Sequence, residues 1–399
     1  MATEGNRNTA LEIPILAQVD EVRPTSYSDI FHKVGNPALA NVSEPIGWTV
    51  QSTDRHRLGS RWFAPVVLVV TLLAASVTTA EAATEYEDLA YGPNLPGNLL
   101  DLYIPDAPAP DLPLVIWHSG SAWASNTGKD TVVAEAVAQA FTNRGYAVAT
   151  ISMRSSIDAR FPAQGHDTRA AIRWLRENAG TYGIDPNRFA FMGTSSGGWA
   201  ATFAATTGDI LELPGELGVN GTSSAIQVAV ALFPPTDFLS MDTFAAANGL
   251  PMGNAYPHDG TTSPEGLLIQ CPGEPAPVLP AEPLFNPGLV SIQDCPGETE
   301  AADPRSYIQG NEVPMWVMHG LADPLVPFNQ SGLVYLATTA EGNEARLTIV
   351  PGGSHSHGSI LNAASATTWS TSPGGQESMV QGSGPTLNDI DDFLRLRLP

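Results

Sequence analysis

An α/β fold, with a mostly parallel sheet covered by helices on both faces, is the architecture the sequence predicts for residues 84–399. Two observations predict it. Short runs such as LPLVIWH (Leu112–His118) and QVAVALFP (227–234) are almost continuously apolar, the mark of strands buried on both faces. Between such runs lie longer stretches with apolar residues three and four apart, the period of a helix that turns one face to a sheet. Regular alternation of the two kinds of segment selects a parallel sheet with crossover helices, in one domain.

Taken in order, LLDLYIP (Leu99–Pro105) alternates apolar and polar residues like a strand and stops at a proline-rich turn. Leu112–His118 is the first doubly buried strand. DTVVAEAVAQAFTN (130–143) reads as a helix stopped at Gly145, and AVATISM (147–153) as the next strand. DTRAAIRWLRENAGTYG (167–183) is an amphipathic helix with Ala171, Ile172, Leu175 and Ala179 on one face and Asp167 as the acid at its start. RFAFMG (188–193) is a strand, and SSGGWAATFAATTG (195–208) a helix of small residues. Further strands follow at 227–234, 314–320 and 345–352, with a helix at 328–339 and a closing helix at 386–398. Two segments break the pattern. Residues 241–313, rich in Pro and Gly, read as an irregular insertion or cap above the sheet, and the Ser/Thr/Gly-rich residues 358–384 as a mobile loop.

The chain has 399 residues and a net charge of −23, with lysine only at Lys33 and Lys129. So acidic a surface repels phosphate backbones, which excludes nucleic acid as a partner. Residues 1–61 show no sustained period and read as a disordered extension. Arg55, Arg57 and Arg61 then precede the uncharged run WFAPVVLVVTLLAASVTTA (62–80) and the small-residue site Ala80-Glu81-Ala82. Residues 62–83 are therefore expected to form a signal peptide or a signal-anchor, although such signals normally begin a chain. The expectation is a secreted or cell-envelope (periplasmic) protein, attached to the membrane through residues 62–80 if the segment is not cleaved. Cys271 and Cys295 are the only cysteines, and an exported protein keeps such a pair as a disulfide. Neither has a C-x-x-C partner or a nearby histidine, so a metal or redox role is not expected.

FMGTSSGGWAA (191–201) contains Gly193-Thr194-Ser195-Ser196-Gly197, a G-x-S-x-G pattern. The pattern alone arises by chance in roughly one chain in ten of this length. Its setting carries more, because Ser195 lies between the end of a strand and the start of a small-residue helix, as a nucleophile elbow requires. The tight turn exposes the serine Oγ and leaves the Ser196 N–H at a helix start, free to hold an oxyanion. A serine hydroxyl needs a histidine base and an acid that orients it, and on this architecture both follow later strands. HGLADPLVP (319–327) offers Asp323, which could equally be a turn aspartate before proline. VPGGSHSHG (350–358) offers His355 and, two residues on, His357; no acidic third ligand accompanies this H-x-H, so metal binding is not expected. WHSGSAW (117–123) leaves the strand that ends at His118, and its small residues can turn the Ser121 and Ala122 N–H groups toward Ser195.

From about Leu99 to the C-terminus the chain resembles the α/β-hydrolase superfamily, in particular carboxylesterases related to hormone-sensitive lipase and bacterial feruloyl esterases. The resemblance is carried by FPAQGHDTRAAIRWLRENAGTYGIDPNRFAFMGTSSGGWAA (161–201), HGLADPLVPFNQS (319–331) and VPGGSH (350–355). It implies the α/β-hydrolase fold, with Ser195 as nucleophile, Asp323 as acid and His355 as base. It further implies an acyl-enzyme, no cofactor or metal, and a small-molecule ester substrate of short- to medium-chain or hydroxycinnamate type. Aligning on Trp123 puts Ser119, Gly120, Ser121 and Ala122 where relatives carry His-Gly-Gly-Gly, so the oxyanion loop departs from the pattern. The Cys271–Cys295 region looks like a paired Cys-Pro segment of some relatives, enlarged by a proline-rich insert. Trp123 is expected to bind substrate and Trp199 to pack in the core. A peptidase of the same fold and a non-catalytic binding protein on this scaffold are the alternatives. Survival of all three triad residue types, in order, favours the esterase.

Overall fold

The computed structural model describes residues 83–106, 108–208, 217–219, 221–250, 257–273 and 288–399. The expected extension (1–61) and, apart from Ala83, the expected export segment (62–83) lie outside the described residues.

The strands are β1 (Ala83–Ala90), β2 (Leu99–Pro105), β3 (Leu112–His118), β4 (Ala147–Ile151), β5 (Ile184–Thr194), β6 (Val228–Leu232), β7 (Met315–Gly320), β8 (Ala345–Val350), β9 (Ala366–Thr371) and β10 (Glu377–Gly382). The helices are α1 (Val132–Thr142), α2 (Ala163–Asn178), α3 (Ser196–Thr207), α4 (Met241–Ala247), α5 (Pro264–Ile269), α6 (Pro296–Glu300), α7 (Asn329–Ala340), α8 (His357–Ile360) and α9 (Leu387–Arg395). Among the described residues the strands form one sheet of ten, in the order β1-β2-β4-β3-β5-β6-β7-β8-β9-β10. From β4 to β8 neighbours run parallel, while β1 and β2 on one side and β9 and β10 on the other add antiparallel margins.

Strand alternation explains why the central runs are apolar throughout. On β5, Phe189 and Phe191 enter the layer shared with α2, α3 and α7, whereas Ala190 and Met192 enter the layer shared with α1 and α9. The closing helix α9 starts with a capping box, in which Thr386 and Asp389 satisfy each other's backbone N–H, and buries Ile390, Phe393 and Leu394.

Four elements differ from expectation. The helix expected at 167–183 starts earlier, at Ala163, so Asp167 is not in its first turn. Its carboxylate is instead buried and paired with Arg154, whose backbone N–H and guanidinium both bond it at 2.8 Å. Residues 358–384 are not a loop: ATTWST and ESMVQG pair as an antiparallel hairpin, and β9 pairs with β8. Residues 241–313 hold short helices, of which α5 is started by Ser263 Oγ accepting the Gly266 N–H at 2.8 Å. Here Cys271 and Cys295 are joined as a disulfide, their Cα atoms 5.8 Å apart. Finally β1, exposed along nearly its whole length, is a polar edge strand whose sequence lacks a core-facing alternation.

Candidate active site

The loops leaving β3, β5, β6, β7 and β8 gather at the carboxyl edge of the parallel strands, where open α/β sheets bind ligands. Ser195 stands between β5 and α3 at φ 53° and ψ −123°, a strained conformation for a residue with a side chain. Two backbone bonds hold it there: its N–H donates to the Leu232 carbonyl at 2.9 Å, and its carbonyl accepts the Trp199 N–H at 2.8 Å. At Gly197 a Cβ would run into the His118 carbonyl oxygen, so α3 can cross the end of β3 this closely only with glycine there. Ser195 is half-buried, and its Oγ makes no hydrogen bond to another described residue.

The loop after β3 is pinned against this turn. Trp117 Nε1 donates to Ser119 Oγ at 3.0 Å, and Ser119 Oγ lies 2.6 Å from Thr131 Oγ1. The residues flanking the serine supply the other ties: the Gly120 N–H donates to Thr194 Oγ1 at 3.1 Å and the Ser121 N–H to Ser196 Oγ at 2.9 Å. A Cβ on Gly120 would lie 2.5 Å from Ser195 Cβ, so the loop presses directly on the serine side chain. The expected role of Ser121 is corrected by this arrangement, because its N–H is already engaged by the Ser196 hydroxyl oxygen. Among the described residues nothing accepts from the N–H groups of Ala122 and Ser196, which leaves both without an acceptor beside Ser195.

Trp123 is corrected as well. Ala122 and Trp123 both have positive φ, 52° and 55°, and the Trp123 side chain is buried, with only 3% of its surface exposed. Its ring meets Trp199 and Phe238 edge-on at 5.7 and 5.5 Å, inside an aromatic cluster that continues to Phe203. Trp199 is fully buried in the same cluster and donates Nε1–H to the Ala302 carbonyl at 2.7 Å.

Asp323 sits in the turn after β7. Its Oδ1 accepts the N–H groups of Leu325 and Val326 at 2.8 and 3.0 Å. Its Oδ2 lies 2.8 Å from His355 Nδ1 and 3.2 Å from Nε2 of His319, a buried residue at the end of β7. Burial works to raise the Asp323 pKa, but hydrogen bonds from His319 and His355, and then their charge, outweigh it and hold the carboxyl well below the ordinary range. His355 follows β8, with the Phe233 ring 4.4 Å from its own. No hydrogen bond joins Ser195 Oγ to His355. The two residues share the exit of β6 as a neighbour, since Leu232 accepts the Ser195 N–H and Phe233 flanks His355. His357 instead opens α8 and makes no bond to Asp323.

His319, Ser331, Thr194 and Phe233 were not singled out by sequence reasoning. For Thr194 and His319 a signal existed: a hydroxyl at the first variable place of the serine motif, and a histidine four residues before the candidate acid. The site thus presents a strained serine at a helix start, two open N–H donors, and an imidazole held by a carboxylate.

Comparison with known proteins adds the following. The BD-FAE family model matches residues 100–337. Esterase LipQ of Mycobacterium tuberculosis is 28% identical over 251 residues, which cover 62% of this chain and 51% of LipQ. The chain therefore spans about half the length of that relative. Among solved structures, a truncated carbohydrate esterase from gut microbiota superposes with a TM-score of 0.57 at 27% identity, over 69% of this chain and 90% of the other. A bifunctional GH43-CE protein of Bacteroides eggerthii gives 0.56 at 32% identity, over 68% of this chain and 35% of the other.

Proposed function

The chain belongs to the BD-FAE family and has the α/β-hydrolase fold, and from that premise we propose that it is a serine carboxylesterase with Ser195, His355 and Asp323 as its triad. The observation that carries this reading is the 2.8 Å contact between His355 Nδ1 and Asp323 Oδ2, on the same sheet edge as the strained Ser195. It is independent of the family match, which ends at residue 337, before His355.

The chemistry follows from which atoms can donate. An ionised carboxylate only accepts, so the His355 proton belongs on Nδ1 and the Nε2 lone pair is left to act as base. Ser195 Oγ attacks the ester carbonyl as Nε2 takes its proton. Asp323 holds the ring and stabilises the imidazolium that forms. The N–H groups of Ala122 and Ser196 receive the charge that develops on the carbonyl oxygen, and His355 returns the proton to the leaving alcohol. Water activated by His355 then releases the acid.

For substrate we propose small-molecule esters of short- to medium-chain or hydroxycinnamate acids. The description of one structural neighbour as a carbohydrate esterase supports ester hydrolysis as the reaction. The test is hydrolysis of p-nitrophenyl esters from acetate to octanoate, with methyl ferulate alongside, by wild type and Ser195→Ala. The expected result is turnover that disappears in the variant; equal rates in both would end the esterase reading. We also propose export, on the strength of the basic and apolar stretch at 55–82 and the disulfide, a bond that persists in oxidising compartments. Recovery of the protein in a reduced, cytoplasmic fraction would contradict it.

A further inference from the structure

The mechanism above assigns no task to His319, although its side chain is fully buried beside the acid. Its Nε2 lies 3.0 Å from the Val326 carbonyl and 3.2 Å from Asp323 Oδ2. Both oxygens only accept, so Nε2 carries a hydrogen whatever the charge on the ring. On the far side, Nδ1 is 2.8 Å from Ser331 Oγ, on α7, which fixes the rotation of the imidazole. Asp323 Oδ2 is therefore the one atom on which two imidazoles converge, while Oδ1 is held by two backbone N–H groups.

We propose that His319 is a positioning residue for the catalytic pair: its Nε2–H, shared between the Val326 carbonyl and Asp323 Oδ2, holds that carboxylate oxygen opposite His355 Nδ1, and Ser331 holds His319 in turn. The proposal rests on the triad reading. The titratable groups facing Asp323 are His319, from β7, and His355, from the loop after β8; α7 contributes neutral Ser331 and the exit of β6 the Phe233 ring. Without the His319 donor, the carboxylate concentrates its negative charge on its bond to His355. The protonated form of His355 is then held more tightly, and the base becomes available only at higher pH. A residue that merely filled space would lower activity equally at every pH.

The experiment is the pH dependence of kcat/KM, with kcat and KM measured separately, on a short p-nitrophenyl ester for wild type, His319→Leu, His319→Gln and Ser331→Ala. For His319→Leu, kcat is expected to fall roughly tenfold with KM little changed, the size of one lost hydrogen bond to a charged group, and the acid limb to move to higher pH. His319→Gln keeps an N–H donor close to the position of Nε2 and should recover most of both. Ser331→Ala should move the limb in the same direction by a smaller amount. The proposal is overturned if the acid limbs of the Leu and Ala variants coincide with wild type, or if Gln performs no better than Leu. Should His319→Leu fail to fold, the small Ser331→Ala change decides the matter by the same limb. Retained activity in Ser195→Ala would overturn the triad itself, a distinguishable result.

Discussion

Around Ser195 the geometry depends on atoms that are missing, and around Asp323 on hydrogen bonds that are all made. The serine turn closes because Gly197 lets α3 meet the end of β3 and Gly120 lets the neighbouring loop touch the serine. Nothing there needs a charge. Two strands away, Asp323 accepts hydrogen bonds from Leu325, Val326 and His355 and has His319 Nε2 at 3.2 Å, and the burial of its charge depends on these contacts. The first region should be intolerant of volume and the second of lost donors. That contrast sets what each substitution tests.

The largest effect is expected from Ser195→Ala, which removes the proposed nucleophile without adding volume. A loss of about 10⁴-fold or more in kcat, with unchanged circular dichroism, would fit a triad acting as a unit. Asp323→Asn is expected to cost nearly as much, about 10³-fold, because one amide face presents N–H to groups that already donate. His355→Asn should behave likewise, while His357→Asn should stay within about twofold of wild type, as for other positions outside the catalytic unit. Reversal of that last pair would transfer the base to His357.

Gly197→Ala is the corresponding change on the steric side. One methyl group meets the His118 carbonyl, so the variant should lose about 1–3 kcal/mol of stability, read as a lower denaturation midpoint. Asp323→Asn should act through pH instead. The folded-state pKa of Asp323 is depressed, so its contribution to stability is complete above the unfolded value of about 4 and is lost as pH falls through the folded value. Replacing it should flatten the acid side of the stability curve, whereas Gly197→Ala should shift the whole curve without changing its shape. Equal curve shapes for the two variants would erase the distinction between the regions.

The same contrast explains what could be read from the sequence. The strained turn at Ser195 and the contact of His355 with Asp323 were legible because a serine nucleophile would demand given residue types at strand ends in a given chain order. The direction of an N–H was not: Ser121 looked like an oxyanion donor until the Ser196 hydroxyl, contributed from the other side of the turn, was found to engage it. Burial of Trp123 depends on Trp199 and Phe238, which are distant in sequence. In the fold, the doubly buried strands were legible because their apolar runs have one explanation. The β9–β10 hairpin was not, since its Ser, Thr and Gly content resembles a loop and its order comes from pairing with β8. The start of α2 was misplaced because Asp167 reads as an acid favoured at a helix start, whereas its partner Arg154 lies before the helix and lets the carboxylate sit deeper inside.

The disulfide, which belongs to neither region, is expected to bear on stability far more than on chemistry. Cys271 and Cys295 are 24 positions apart, and closing a loop of that length contributes about 3 kcal/mol to stability in the chain-entropy account. Neither cysteine is among the partners of Ser195, His355 or Asp323. The double change Cys271→Ser and Cys295→Ser should therefore lower the denaturation midpoint while kcat on a short ester stays within about threefold, as expected of distant, independent sites. A larger fall in kcat would mean that the clip reaches the site through the segment it fastens. The path would run from α6 along the chain to Ala302, whose carbonyl holds the Trp199 indole, and from that ring to Trp123 in the loop after β3. The outcome decides whether the insertion only borders the active site or helps hold its loops in place.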